Sequence, residues 1–323
     1  MMTHEQLSHP GFSPQATAGI TRLLVATDFS SRATCALTRA LLLPLAHGAE
    51  VLIAHALPPS DTPRAQQEEE ALARHSLQEA VRHLRERLSQ ASCQVQGVLV
   101  KGTPDEALTF MAKDFGAEVV VLGRPRRPRT FWDRMRERMA GGHIHRISST
   151  LLLVSAPPGQ PYQHPLVAVD FSEASRHSLE ATLRLCPHAE RVLVLHDYDT
   201  SYELVLHQAA PPSRILEYRR EAEAQARAAL HQFLAPYRAA GVRFEEFVRP
   251  GEAAESILAV ARQEQVDLIV VGRHARAVLG RLVRPHVAEQ VASETPCDVL
   301  VLAQEPRPAF PQPPAPFFPS EQV

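Results

Sequence analysis

The residues of this chain best suited to chemistry lie in one arginine-dense stretch, Arg124-Pro-Arg-Arg-Pro-Arg-Thr-Phe-Trp-Asp-Arg-Met-Arg-Glu-Arg138. Guanidinium forks match phosphate and carboxylate oxygens two at a time, so such a stretch can hold an anion. Arg124, Arg126 and Arg127 are the candidates for that contact. The later half reads more simply as a solvated helix anchored by Phe131 and Trp132. A weaker echo comes later, at Arg273, Arg276, Arg281 and Arg284. Nucleic acid is a poor match. The formal net charge is -2, and this single basic patch sits on no recognisable nucleic-acid-binding fold.

Other chemistries have less support. The chain has 16 histidines, and His143-Ile-His145 is their densest pair. That spacing gives two metal ligands only on an extended segment, and no third ligand stands nearby, so no metal site is expected. The four cysteines, Cys35, Cys93, Cys186 and Cys297, form no C-x-x-C pair and read as reduced thiols. No G-x-S-x-G elbow is present, and nothing in the sequence activates a serine or cysteine. The expectation is a binding protein rather than an enzyme, with weak ATP hydrolysis as an alternative.

The elements that position these residues come in duplicate. Leu23-Leu-Val-Ala-Thr-Asp-Phe-Ser30 returns as Leu166-Val-Ala-Val-Asp-Phe-Ser172, and Val51-Leu-Ile-Ala-His55 as Val192-Leu-Val-Leu-His196. Gly102 through Arg124 returns as Gly251 through Arg273, and Leu151–Val154 as Val299–Leu302. Four matches in one order mean duplication. The short continuous apolar runs predict strands of a parallel sheet buried on both faces, joined by helices in a doubly wound α/β fold. Ser30 and Ser172 are expected helix caps, and 64–90 and 213–240 long helices. His55 and His196, at the strand ends, are expected to be packed or hydrogen-bonded.

The Thr-Asp-Phe-Ser and Val-Asp-Phe-Ser-Glu strand ends, the His-ending second strands, the Val-Val-Gly-Arg run and Pro296-Cys-Asp-Val-Leu-Val-Leu302 together resemble universal stress protein domains, from Arg22 to Ala303. The resemblance implies two tandem five-stranded domains of the adenine nucleotide alpha hydrolase-like type, packed as a pseudo-dimer. In ATP-binding relatives the aspartate ending strand one contacts the nucleoside, which here is Asp28 or Asp170. The residue after the second-strand histidine lies near adenine: Ala56 in the first copy, Asp197 in the second. Phosphates are held by a G-x-x-G-x9-G-[ST] pattern that lets bare backbone N–H groups approach.

Both copies depart from that pattern. The second keeps Gly272 but has Ala275 at the second glycine, and Pro285 and His286 at the last pair. The first keeps Gly123 but has Arg126 at the second glycine, and Glu137 and Arg138 at the last pair unless the loop is shifted toward Gly141-Gly142. The expected function is therefore a stress-response binding or regulatory protein. Its ligand is unidentified, ATP or another anion, held at the strand ends. A ligand-free scaffold for protein partners is the alternative. The resemblance also implies a homodimer paired through the fifth-strand edges, Leu151–Val154 and Val299–Leu302.

The expected layout is an extension over 1–20, domain one over 21–156, a linker over 157–163, domain two over 164–304 and a disordered Pro-rich tail over 305–323. The polar first residues give no signal peptide and no apolar run is long enough to span a membrane, so a cytoplasmic location is expected.

Overall fold

A computed structural model describes residues 19–124, 149–198, 200, 211–272 and 287–302. In the first copy the elements run β1 (Ile20–Ala26), α1 (Ser31–Ala40), β2 (Leu45–Leu57), α2 (Pro63–Arg87), β3 (Gln94–Lys101), α3 (Pro104–Asp114), β4 (Val119–Gly123) and β5 (Thr150–Val154). The second copy runs β6 (Pro165–Ala168), α4 (Glu173–Leu185), β7 (Val192–Tyr198), α5 (Pro212–Leu234), β8 (Phe244–Pro250), α6 (Ala253–Gln263), β9 (Leu268–Gly272), α7 (Val287–Glu294) and β10 (Asp298–Leu302).

The strands form one sheet in the order β3-β2-β1-β4-β5-β10-β9-β6-β7-β8. Every pairing within a copy is parallel. The copies join antiparallel through β5 and β10, centred on the Leu152–Leu300 pair. The edges expected to hold a homodimer are thus filled by each other. Their backbone groups are spent within the chain, and β3 and β8 are the outer strands. The pseudo-dimer is the chain itself.

Alternation along the strands feeds two cores. Leu23, Val25, Val119, Val121, Leu152 and Leu300 face one side, covered by Leu77 and Leu84 of α2, Leu179 of α4 and Phe233 of α5. Leu24, Val120, Leu151, Leu153, Ile269 and Val299 face the other, covered by Met111 of α3, Ile257 of α6 and Val291 of α7. Burial on both faces explains the unbroken apolar strand sequences. Among the described residues, no helix is long and apolar enough to cross a membrane.

The long helices are shorter than expected. The helix opening at Pro212 gives way to 3-10 geometry over Ala235–Ala240. Pro236 has no N–H for the carbonyl four residues back. The α2 helix ends at Arg87, followed by a 3-10 turn over Ser89–Ala91 and a left-handed Ser92. Between the copies Pro157, Gly159 and Gln160 are exposed, and Tyr162 is buried.

Candidate functional site

In each copy the strand order reverses at the first strand, which lies between the second and the fourth. A doubly wound sheet opens a crevice there, beyond the carboxyl ends of the strands. Asp28 follows β1 and Gly123 ends β4, so both flank this point. Asp170 and Gly272 do the same in the second copy.

The strand ends share one local design. Phe29 and Phe171 are left-handed, with φ of 58° and 63°, a costly conformation for a bulky residue. The Phe29 ring lies 4.5 Å from that of His55, and Phe171 lies 4.1 Å from His196. His55 Nδ1 donates to the Thr27 carbonyl at 2.8 Å, and His196 Nδ1 to the Val169 carbonyl at 2.9 Å. A carbonyl only accepts, so Nδ1 carries the hydrogen in both rings. The histidines are thus packed and hydrogen-bonded as expected.

The turn also orients the carboxylates. Ser30 N donates to Asp28 Oδ1 and Ser172 N to Asp170 Oδ1, each at 3.0 Å. The serine hydroxyls then cap the helices, accepting from Ala33 N at 3.3 Å and Ser175 N at 3.2 Å. Both helices therefore start beside the crevice with their positive ends toward it.

Three differences separate the copies. First, Ser175 stands where the first copy has Ala33. Its hydroxyl donates to Asp170 Oδ1 at 2.5 Å and accepts from Asp170 N at 2.9 Å. Burial alone would raise the Asp170 carboxyl, but hydrogen bonds from Ser172 and Ser175 hold it below its ordinary value. Second, Ala56 lies half-buried opposite Val100, whereas Asp197 lies opposite Arg249. Burial pushes the Asp197 carboxyl up, opposed by His196 and reinforced by the charges of Asp170 and Glu252. Third, the glycines differ in use. A Cβ on Gly123 would lie 2.6 Å from the Arg32 carbonyl carbon and 3.0 Å from Ala33 N, so this glycine lets α1 press against β4. Among the described residues, a Cβ on Gly272 would meet only Ser178 Oγ, at an ordinary 3.6 Å.

Arg124 turns its guanidinium to the other copy. It donates to the Ala292 carbonyl at 2.7 Å and to the Thr295 carbonyl, at the carboxyl end of α7. Arg32 donates to the Arg124 carbonyl. Burial lowers the Arg124 guanidinium below its ordinary value, consistent with a cation held among neutral carbonyls. Arg126, Arg127, Ala275 and His286 lie outside the described residues, as do Glu137, Arg138, Pro285, His143 and His145. Among the described residues, no group of three or more His, Cys, Asp or Glu could hold a metal ion.

The universal stress protein family model matches residues 19–145 and again 161–303. The chain belongs to the universal stress protein family. No curated protein matches it. Among solved structures, a universal stress protein from Archaeoglobus fulgidus is similar at a TM-score of 0.61 and 13% identity, over 88% of this chain and 99% of that one. A functionally unknown protein from Pseudomonas aeruginosa is similar at 0.55 and 16%, over 89% and 94%. A putative universal stress protein from the same species is similar at 0.53 and 17%, over 89% and 94%. At these identities the likeness establishes the tandem universal stress fold alone.

Ser175, Glu252 and Arg32 belong to none of the motifs that mark this universal stress protein in its sequence. Ser175 carried a usable signal, a second serine three residues beyond the cap. The partners of Arg32 and Glu252 depend on how the helices pack, and no local pattern announces them.

Proposed function

We propose that this universal stress protein is a regulatory, cytoplasmic binding protein with one working ligand site, in the first copy. The ligand class we assign is a nucleoside-bearing anion. The observation that carries the reading is the difference in charge between the two crevices. Both crevices have an aspartate and a capped helix start, but the first has the small Ala56 where the second has Asp197. The second sets Asp197 near the charges of Asp170 and Glu252. Carboxylates grouped there repel a phosphate chain.

The fit to ATP is partial. Asp28 and Ala56 suit the nucleoside end. The first glycine of the phosphate pattern does not suit the other end, because the Cβ side of Gly123 is filled by α1 backbone. If ATP binds, Arg126 and Arg127 are the residues left to meet its phosphates. A scaffold without ligand is the second reading, favoured by Gly123 serving packing and Arg124 serving the domain interface.

Titration calorimetry with adenine nucleotides, together with mass spectrometry of material extracted from the purified full chain, tests the proposal. One equivalent per chain is expected, weakened about tenfold or more by Asp28→Ala, a loss of about 1.4 kcal/mol, and unchanged by Asp170→Ala. Two equivalent sites, or binding indifferent to Asp28, would overturn it. An empty chain that binds no nucleotide supports the scaffold.

A further inference from the structure

The join between the copies contains a polar cluster unrelated to the ligand crevice. Arg39 of α1 meets Asp298, the first residue of β10, with Nε 3.1 Å from Oδ2. Both side chains are buried, at 8% and 5% exposure. Tyr162 Oη donates to the same oxygen at 2.7 Å, and Ser155 N to Oδ1 at 2.8 Å. Arg39 also donates to the Gln160 carbonyl at 3.0 Å, and its guanidinium lies 3.9 Å from the Tyr162 ring centroid. One cluster therefore ties α1 of the first copy, the linker and β10 of the second.

The cluster breaks the symmetry of the duplication. The strand pairing is symmetric about Leu152 and Leu300: Val299 meets Leu153, and Val301 meets Leu151. By the matched sequences, Asp298 corresponds to Thr150 and Arg39 to Ala181. The mirror position therefore carries no charge. Two first copies paired through β5 would set Arg39 against Thr150. Two second copies paired through β10 would set Asp298 against Ala181. Each would bury a charge without its partner. Backbone pairing and apolar packing do not discriminate among these arrangements, since β5 and β10 are both short apolar strands.

We infer that Arg39, Asp298 and Tyr162 specify which copy pairs with which, closing each first copy onto a second copy and refusing like pairs. Burial raises the Asp298 carboxyl above its ordinary value despite the hydrogen bonds of Ser155 and Tyr162 and the charge of Arg39. A pair held at such cost contributes little stability, and exclusivity is what it leaves. The inference stands on the interface alone and is independent of any ligand.

Charge exchange between full-length chains tests it. R39D and D298R chains are refolded separately and as an equimolar mixture, and particle mass is measured by light scattering after size exclusion. Each variant alone buries like charges and is expected to lose the parent particle. The mixture is expected to give a particle of twice the parent mass, because each first copy then finds an opposite charge on the other chain. The double variant R39D/D298R in one chain is expected to restore the parent mass. Either single variant keeping the parent mass and unfolding midpoint overturns the inference. So does a mixture that makes no double-mass particle while the double variant folds. If the double variant does not fold, R39M/D298L decides: refolded at high concentration it should give parent and double-mass particles together, and an unaltered parent profile overturns the inference.

Discussion

The aspartates ending β1 and β6 look interchangeable in sequence, yet their neighbours set them different tasks. Asp170 is clamped by the Ser175 hydroxyl, whereas Ala33 leaves Asp28 without that donor. Hydrogen bonds to an ionised carboxylate are stronger than neutral ones. For this partly exposed group, screening reduces the benefit, so Ser175→Ala should cost about 1 kcal/mol at pH 7. The sign follows from linkage. The folded value of Asp170 lies below the unfolded value of about 3.9, so its contribution is full above that value and is lost as pH falls through the folded one. Urea midpoints of parent and Ser175→Ala chains should differ at pH 7 and converge in strong acid. A gap independent of pH would mean that the hydroxyl acts by packing. The glycines make a second contrast at this scale. Gly123→Ala forces Cβ into α1 backbone and should cost on the order of 1–3 kcal/mol, whereas Gly272→Ala should cost less, as thermal unfolding of the two variants would show.

Among the elements, α7 depends on a residue outside its own copy. Its last turn leaves carbonyls without helical partners, and Arg124 supplies N–H donors to the Ala292 and Thr295 oxygens. Its described residues are Val287–Glu294, and in proteins a helix owes most of its stability to tertiary contacts rather than to propensity. Arg124→Ala should therefore raise amide hydrogen exchange over 287–295 more than elsewhere, with a global cost of about 1–3 kcal/mol. Uniform exchange across the chain would dissociate Arg124 from α7. Sequence made the elements readable because period and capping are local: Ser30, Ser172 and the apolar strands fall where they were expected. The Arg124 contact was not readable. Its partner lies 168 residues away, and the arginines that follow it drew attention to anions.

At the scale of the whole molecule, duplication was legible as an ordered set of matches, and the winding of each copy followed from strands alternating with helices. The joining of the copies was only partly legible. The resemblance points to the right strands, β5 and β10, but as edges for a second chain. An apolar edge strand does not encode whether its partner arrives from the same chain or another. The only local hint was Asp298, a carboxylate opening a run otherwise fit for a core. The outer strand β8 is different in kind. It carries Glu245 and Glu246, paired with Arg191 and Arg238, and charge at an edge discourages further strand addition. Stability measurements can separate the two roles open to the Arg39–Asp298 pair. Asp298→Ala alone leaves Arg39 buried without its counter-charge and should cost about 3–5 kcal/mol in urea unfolding. Replacing both, as Arg39→Met with Asp298→Leu, removes the charges together and should recover most of that loss, ending near the parent or above it. A double variant as unstable as the single one would make the pair a source of stability, and its part in choosing partners would then be secondary.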